Sequence, residues 1–167
     1  LDPRPDHSDA RALFLDRDGT LIVDVGYPRD PARVELLPGA VDALGLATAL
    51  GYSLVIVSNQ SGVARGIISP EEARAVQVRV DELFAAHGVS FAGTYFCFHG
   101  PDEGCTCRKP APGMLVRAAR ELGLSLRASV MVGDKPSDVA AGIAAGCRAS
   151  IAFSSWSDVT PLLTERR

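Results

Sequence analysis

No stretch of this chain approaches the roughly 18 consecutive apolar residues that a membrane-spanning helix requires. Basic residues do not predominate either: 17 Lys and Arg stand against 20 Asp and Glu, for a net charge of −3. That balance excludes the basic stripe that grips a nucleic-acid backbone and the polybasic anchor that holds a protein to an anionic membrane. Cysteine is scarce, with four in 167 residues, and three of the four crowd around one histidine. A secreted disulfide framework spreads its cysteines, so the cluster suits metal better. Internal repeats, low-complexity runs and a break that would mark a second domain are all missing. What remains is 47% apolar and 22% charged residues, the composition of a globular domain. A chain of this length buries about two-thirds of its unfolded surface and needs no staple.

The opening stretch LDPRPDHSDAR is polar and proline-rich and resembles neither a signal peptide nor a helix. Residues 1–10 are expected to form a loose arm and residues 11–167 a single domain. The expected location is the cytoplasm. A monomer is expected, with no nucleic-acid or membrane partner.

Short apolar runs recur along the chain at residues 12–16, 52–60, 91–99, 128–134 and 147–153. Runs of this kind fit strands buried on both faces of a parallel sheet. Helical patterns lie between them, at 38–51, 69–88, 113–123 and 137–146. The clearest, 69–88, opens with Ser69, Pro70 and Glu72, a capping box with proline in the first turn. Its expected buried stripe is Ala73, Val76, Val80, Leu83 and Phe84, with His87 towards the same side. Strands alternating with helices specify an α/β class: a Rossmann-like three-layer sandwich around a central, mainly parallel sheet. In such sheets ligands bind beyond the carboxyl ends of the strands. Polar residues gather there, at Asp16, Ser58, Cys97 and Asp134.

Four motifs stand at those ends. LDRDGT (15–20) sets Asp16 and Asp18 at i and i+2 just past a strand. Asp and Gly also make ordinary turns, but an apolar run ending in D-R-D-G-T is more specific. Asp16, ionised at neutral pH, can act as nucleophile and metal ligand. Asp18 could serve as an acid if its surroundings favoured the protonated form. MVGDKPSD (131–138) repeats the geometry with Asp134, and two carboxylates from neighbouring strand ends suit Mg²⁺. Asp138 reads equally well as a helix N-terminal carboxylate. SNQSGVARG (58–66) places a hydroxyl and backbone N–H groups where they can hold phosphate oxygens, though the same letters describe a plain loop. Lys109, ahead of a helix start, could balance a phosphate's charge, although a lone Lys before Pro is more often a surface charge.

In this order the four motifs resemble the haloacid dehalogenase (HAD) superfamily over residues 11 to 153. FLDRDGT, SNQSGVARG, CRKPAPGM and VGDKPSD are similar to the D-glycero-D-manno-heptose 1,7-bisphosphate phosphatase family of its histidinol-phosphatase-like branch. The resemblance implies a small-molecule sugar bisphosphate substrate and removal of its C7 phosphate to leave heptose 1-phosphate. It places the reaction in nucleotide-activated heptose biosynthesis. It implies Asp16 as nucleophile forming an aspartyl-phosphate and Asp18 as acid and then base. Ser58 and Lys109 would stabilise the transferred phosphoryl group. Mg²⁺ would be held by Asp16, the Asp18 carbonyl and Asp134, with Lys135 adjacent. Substrate contacts would come from Asp24, Val25, Gly26, Tyr27, Ser58, Asn59, Gln60, Ser61, Arg108 and Lys109. The family often has Asn where Ile22 stands and His where Val25 stands. It carries a minimal cap, and no gap between these motifs is long enough for a lid domain. Histidinol-phosphate phosphatases are the alternative, although their phosphate motif commonly has an acidic residue in place of Ser61.

CFHGPDEGCTCRKP (97–110) offers Cys97, His99, Cys105 and Cys107. Three thiolates and an imidazole could close a tetrahedral structural Zn²⁺ site. The usual zinc spacing is C-x2-C, and a disulfide is the other reading, although C-x-C is strained for one. The resemblance favours zinc, because the same branch carries such a loop at 97–109. Cys147 is expected in the core, His7 in the arm with no visible role, and Trp156 packed onto the domain.

Overall fold

The computed structural model describes residues 10–165. His7 and nearly all of the expected arm lie outside them. Five strands, β1 (Arg11–Leu15), β2 (Tyr52–Asn59), β3 (Gly93–Cys97), β4 (Val130–Gly133) and β5 (Ala149–Ala152), form one sheet in the order β3-β2-β1-β4-β5. Every pairing is parallel, with Leu13 beside Leu54 on one side and Val130 on the other. The expected sandwich is therefore present, and its sheet is wholly parallel.

Successive strand residues point to opposite faces, and the core divides accordingly. Leu13, Leu15, Leu54, Ile56, Val130 and Val132 face one side. There they meet Ala43, Leu44 and Ala47 of α1 (Ala40–Ala49), Val80 and Phe84 of α2 (Pro70–Ala85), and Trp156, Val159 and Leu163 of α5 (Trp156–Thr164). Ala12, Phe14, Val55, Val57 and Met131 face the other side. They pack on Met114, Leu115 and Ala118 of α3 (Gly113–Leu122) and on Ala141 of α4 (Pro136–Ala145).

The capping box of α2 forms as its sequence requires: Glu72 N–H donates to the Ser69 hydroxyl at 3.0 Å, and Ser69 N–H donates to the Glu72 carboxylate at 3.0 Å. The buried stripe differs in three places. Leu83 is only half-buried. Gln77 takes a buried position that periodicity assigns to an apolar residue. His87 is exposed, because the helix ends at Ala85 and the 3.6-residue period no longer sets its direction. Cys147 is half-buried against the α3–α4 side of the core. Trp156 is buried and its indole N–H donates to the Thr20 carbonyl at 2.9 Å. This bond ties the start of α5 to the turn after β1.

Candidate active site

β1 delivers Asp16 to the carboxyl edge of the sheet. Asp16 N–H still bonds to the Val132 carbonyl of β4 at 3.0 Å, so its backbone remains anchored to the sheet. The chain then turns sharply. The Arg17 carbonyl accepts N–H groups from Thr20, Leu21 and Ile22. Gly19 has a φ of 86°, and a side chain there would strike the Asp134 carboxylate. Glycine at this point is what lets the two aspartate-bearing loops approach each other.

The buried ammonium of Lys109 lies between two carboxylates, 2.9 Å from Asp16 Oδ1 and 2.6 Å from Asp138 Oδ1. Its third donor reaches the Val57 carbonyl at 2.7 Å. The backbone of Lys109 is fixed as well. Asn59 at the end of β2 accepts Lys109 N–H at 3.0 Å and donates to the Lys109 carbonyl at 3.1 Å. Burial opposes the charge on Asp16, but the Lys109 ammonium and hydrogen bonding from Asp134 and Lys109 hold its carboxyl below the ordinary range. Burial likewise opposes the charge on Lys109, and Asp16 and Asp138 outweigh it to raise its pKa.

Burial, the shared hydrogen bond with Asp16 and the charge of Asp16 push Asp134 up to about 6. Two facing carboxylates that share a proton mark a place where a cation can replace that proton. Carboxylate oxygens of Asp16, Asp134 and Asp138 lie within 4.8 Å of one another. Asp138 is already occupied: one oxygen pairs with Lys109 and the other accepts Lys135 N–H at 3.0 Å. Asp16 and Asp134 therefore keep the free lone pairs, and this donor set fits Mg²⁺.

Asp18 meets a fully buried Arg17, whose Nε lies 2.8 Å from Asp18 Oδ1. Gln60 Nε2 donates to Asp18 Oδ2 at 3.0 Å and to the Ser58 hydroxyl at 2.8 Å. A cleft of about 690 Å³ opens over these groups. It is lined by Asp16, Asp18, Asp24, Gly26, Tyr27, Asn59, Gln60, Ser61, Arg108, Lys109, Lys135 and Asp138, among others. Eleven of these twelve are residues the sequence singled out for the site, drawn from four separate loops. Three of the expected residues lie elsewhere. Ser58 is buried beneath Gln60. Asp134 sits at the cleft's edge beside Asp16 and 3.7 Å from the Lys135 ammonium. Val25, 60% exposed, faces a neighbouring groove with Ile22, Val23 and Arg33. Asp138 is the residue that the sequence left evenly open between a helix terminus and the site. A helix N-terminal carboxylate is unremarkable by itself, and only its contact with Lys109, 29 residues away, reveals its place in the site.

Beside the cleft, Cys97, His99, Cys105 and Cys107 converge, and no disulfide links the cysteines. Cys97 Sγ lies 3.5 Å from His99 Nδ1, 3.8 Å from Cys105 Sγ and 3.1 Å from Cys107 Sγ. His99 Nδ1 lies 3.1 Å from Cys107 Sγ. A tetrahedral zinc site with bonds of about 2.3 Å to sulfur and about 2.0 Å to nitrogen has edges of about 3.5 to 3.8 Å. The cluster is close to that size. Burial raises Cys97 to about 12. Against its own burial, hydrogen bonds led by Arg108 N–H hold Cys105 at about 7. The donor set fits Zn²⁺, which binds thiolates and would displace their protons.

A HAD-hydrolase-like family model matches residues 106–152. The heptose-1,7-bisphosphate 7-phosphatase of Yersinia pestis is 41% identical over 156 residues, covering 89% of this chain and 83% of that protein. The enzyme of Escherichia coli K12 is 38% identical, covering 90% and 82%. Among solved structures, the D,D-heptose 1,7-bisphosphate phosphatase of B. bronchiseptica, complexed with magnesium and phosphate, superposes with a TM-score of 0.83 at 29% identity. That match covers 92% of this chain and 97% of that one. A putative HAD-like phosphatase of Mesorhizobium loti gives 0.78 at 36% identity, covering 92% and 86%. Fold and site together define a phosphoric monoester hydrolase of the HAD superfamily. Within it, the chain belongs to the D-glycero-β-D-manno-heptose-1,7-bisphosphate 7-phosphatase family.

Proposed function

We propose that this protein hydrolyses the C7 phosphate of D-glycero-β-D-manno-heptose 1,7-bisphosphate to leave heptose 1-phosphate, supplying nucleotide-activated heptose in the cytoplasm. The observation that carries the mechanism is the buried Asp16–Lys109–Asp138 array opening into a cleft beside Asp18. The β-anomer follows the names of the relatives. Residues 11–167 work as one monomeric unit, with 97–109 as its zinc loop.

An oxygen of Asp16 attacks phosphorus, and the bond to the sugar oxygen breaks as that oxygen takes a proton from Asp18. Water, giving its proton to Asp18, then attacks the aspartyl-phosphate and releases inorganic phosphate. Phosphoryl transfer depends mainly on positioning and charge neutralisation. Lys109 supplies positive charge while holding Asp16 in place. Bound at Asp16, Asp134 and the Asp18 carbonyl, Mg²⁺ would supply Lewis-acid neutralisation of the phosphoryl oxygens. The Ser61 N–H at the cleft wall is the backbone donor for those oxygens, because the Gln60 N–H is taken by the Cys97 carbonyl; the Ser58 hydroxyl would join it once Gln60 moves aside. Asp24, Gly26, Tyr27, Arg108 and Lys135 line the side where the sugar and its far phosphate lie, with Val25 on the outer rim. Cys97, His99, Cys105 and Cys107 would hold Zn²⁺, which would brace the loop that carries Arg108.

The test is a kinetic comparison of the β- and α-anomeric heptose bisphosphates with histidinol phosphate in the presence of Mg²⁺. The β-anomer should have the highest kcat/KM. Much faster cleavage of histidinol phosphate would overturn the reading.

A further inference from the structure

A fully buried arginine needs a reason. Arg17 is 0% exposed, and burying a charge costs several kcal/mol unless it is well paired. An apolar side chain in its place would pack without that penalty. Every polar contact of this guanidinium nevertheless serves a single arrangement. Nε donates to Asp18 Oδ1 at 2.8 Å and one terminal nitrogen donates to Asp18 Oδ2 at 3.4 Å. The other terminal nitrogen donates to Gln77 Oε1 on α2 at 3.3 Å. Gln77 is held in turn by donating to Asp81 Oδ1 at 2.9 Å. The guanidinium carbon lies 5.6 Å from the centre of the Phe96 ring. The main chain is pinned too, because the Arg17 carbonyl receives three N–H groups.

A two-point grip by the planar edge of arginine fixes a carboxylate's plane as well as its position, which a lysine or a single donor cannot do. The grip also distinguishes the two oxygens of Asp18. Oδ2 receives Arg17 and Gln60 and is filled. Oδ1 receives Arg17 Nε and keeps a lone pair.

We propose that Arg17 is a positioning residue: anchored by Gln77, it locks the Asp18 carboxylate so that Oδ1 is the oxygen that gives and takes the proton. The inference rests on the acid–base reading of Asp18 above. Arg17 itself touches no substrate.

The test uses leaving-group dependence. A sugar alkoxide cannot leave without a proton, whereas p-nitrophenolate is stable as an anion and needs none. Arg17→Met and Arg17→Lys are assayed in Mg²⁺ with the heptose bisphosphate and with p-nitrophenyl phosphate, following the first turnover by stopped flow and rapid quench. For Arg17→Met, first-turnover sugar release should fall about 100-fold, the scale of a lost general acid, with KM little changed. The p-nitrophenolate burst should keep its rate, and Arg17→Lys should lie between Arg17→Met and the parent. A merely structural role would slow both substrates alike, and that result, or no loss with either, overturns the inference. Gln77→Met, which lies outside the cleft lining and leaves Arg17 in place, should show the same split at smaller amplitude. It decides the matter if Arg17→Met does not fold. Asp18→Asn separates the two levels of the argument. If it lacks the split, the acid role of Asp18 falls and the inference with it. If it shows the split and the Arg17 and Gln77 variants do not, the inference alone falls.

Discussion

Two clusters of metal-ligating side chains lie side by side here, and they are built in opposite ways. The aspartate cluster hangs from the ends of β1 and β4, neighbours in the middle of the sheet. Its members are held by backbone bonds and by a buried lysine. The cysteine cluster begins at the last residue of the edge strand β3 and continues through turns. Only Cys97 is buried. The first site is assembled on strands packed into the hydrophobic core. The second touches the core mainly through Cys97, with Cys105 and Cys107 packed partly against it, and its crowded thiols suit a metal that would displace their protons. A catalytic site gains from rigid elements beneath it, and a loop with few buried contacts gains from a structural metal.

Removing the nucleophile should have the largest effect and should leave the comparison of folds intact. Asp16→Asn should reduce kcat by about 10⁴-fold or more, with an unchanged circular dichroism spectrum. Surviving turnover would rule out the aspartyl-phosphate route. Lys109→Met tests whether the aspartate cluster is truly core-built. It leaves Asp16 and Asp138 buried without their cation, and should cost about 3–5 kcal/mol in urea unfolding without Mg²⁺, as for other broken buried pairs. A loss below 1 kcal/mol would show that water already solvates the array.

Stripping zinc tests the other half. Disorder of the whole 97–109 segment, including Lys109, follows from a sequence-only view of the loop, but the structure divides it. Lys109 is tied to Asn59, Val57, Asp16 and Asp138, none of them a zinc ligand. Arg108 bonds to Cys105 Sγ through its N–H and to the His99 carbonyl through its side chain, both within the loop, and outside it only its carbonyl is held, by Ala111 N–H at 2.8 Å. Verified zinc-free protein should therefore be cut faster by protease near 100–104. Its KM should rise about tenfold, the worth of one charged hydrogen bond, while kcat changes less. An unchanged cleavage rate and KM would show that the loop needs no metal.

The smallest effect concerns pH. The ordinary aspartate pKa is about 3.9, and that of Asp134 is raised to about 6 by burial and by Asp16. A carboxyl whose pKa rises on folding binds its proton more tightly in the folded state, so metal-free stability should decline as pH rises through that window. Mg²⁺ replaces the proton, so its stabilising shift in melting temperature should be larger at pH 7 than at pH 5. An equal shift at both would show that Asp134 does not hold the cation.

Strand ends carrying Asp16 and Asp134 were legible because an apolar run followed by an acid is a local pattern, and the parallel sheet followed from the alternation of elements. What escaped the sequence is long-range. Gln77 looks like a break in an apolar stripe until Arg17 is seen beneath it. Arg17 looks like the variable letter between two aspartates. Asp138 caps a helix and also completes an ion pair, and only the first is written nearby. α5 was missed because it is nine residues long with Pro161 inside it, too short and too interrupted for its periodicity to register.

The bonds between Asn59 and the backbone of Lys109 carry one more consequence. An amide side chain here pairs with a peptide group as a neighbouring strand would, in effect adding one more rung where the sheet has stopped. Chain entry is fixed at Cys97 by β3 and chain exit at Lys109 by this rung, independently of the path between. A change of path in the turns at 100–104 therefore bears on Arg108 before it bears on the lysine. Neighbouring basic residues are thus anchored from opposite sides, Arg108 from the loop and Lys109 from the sheet.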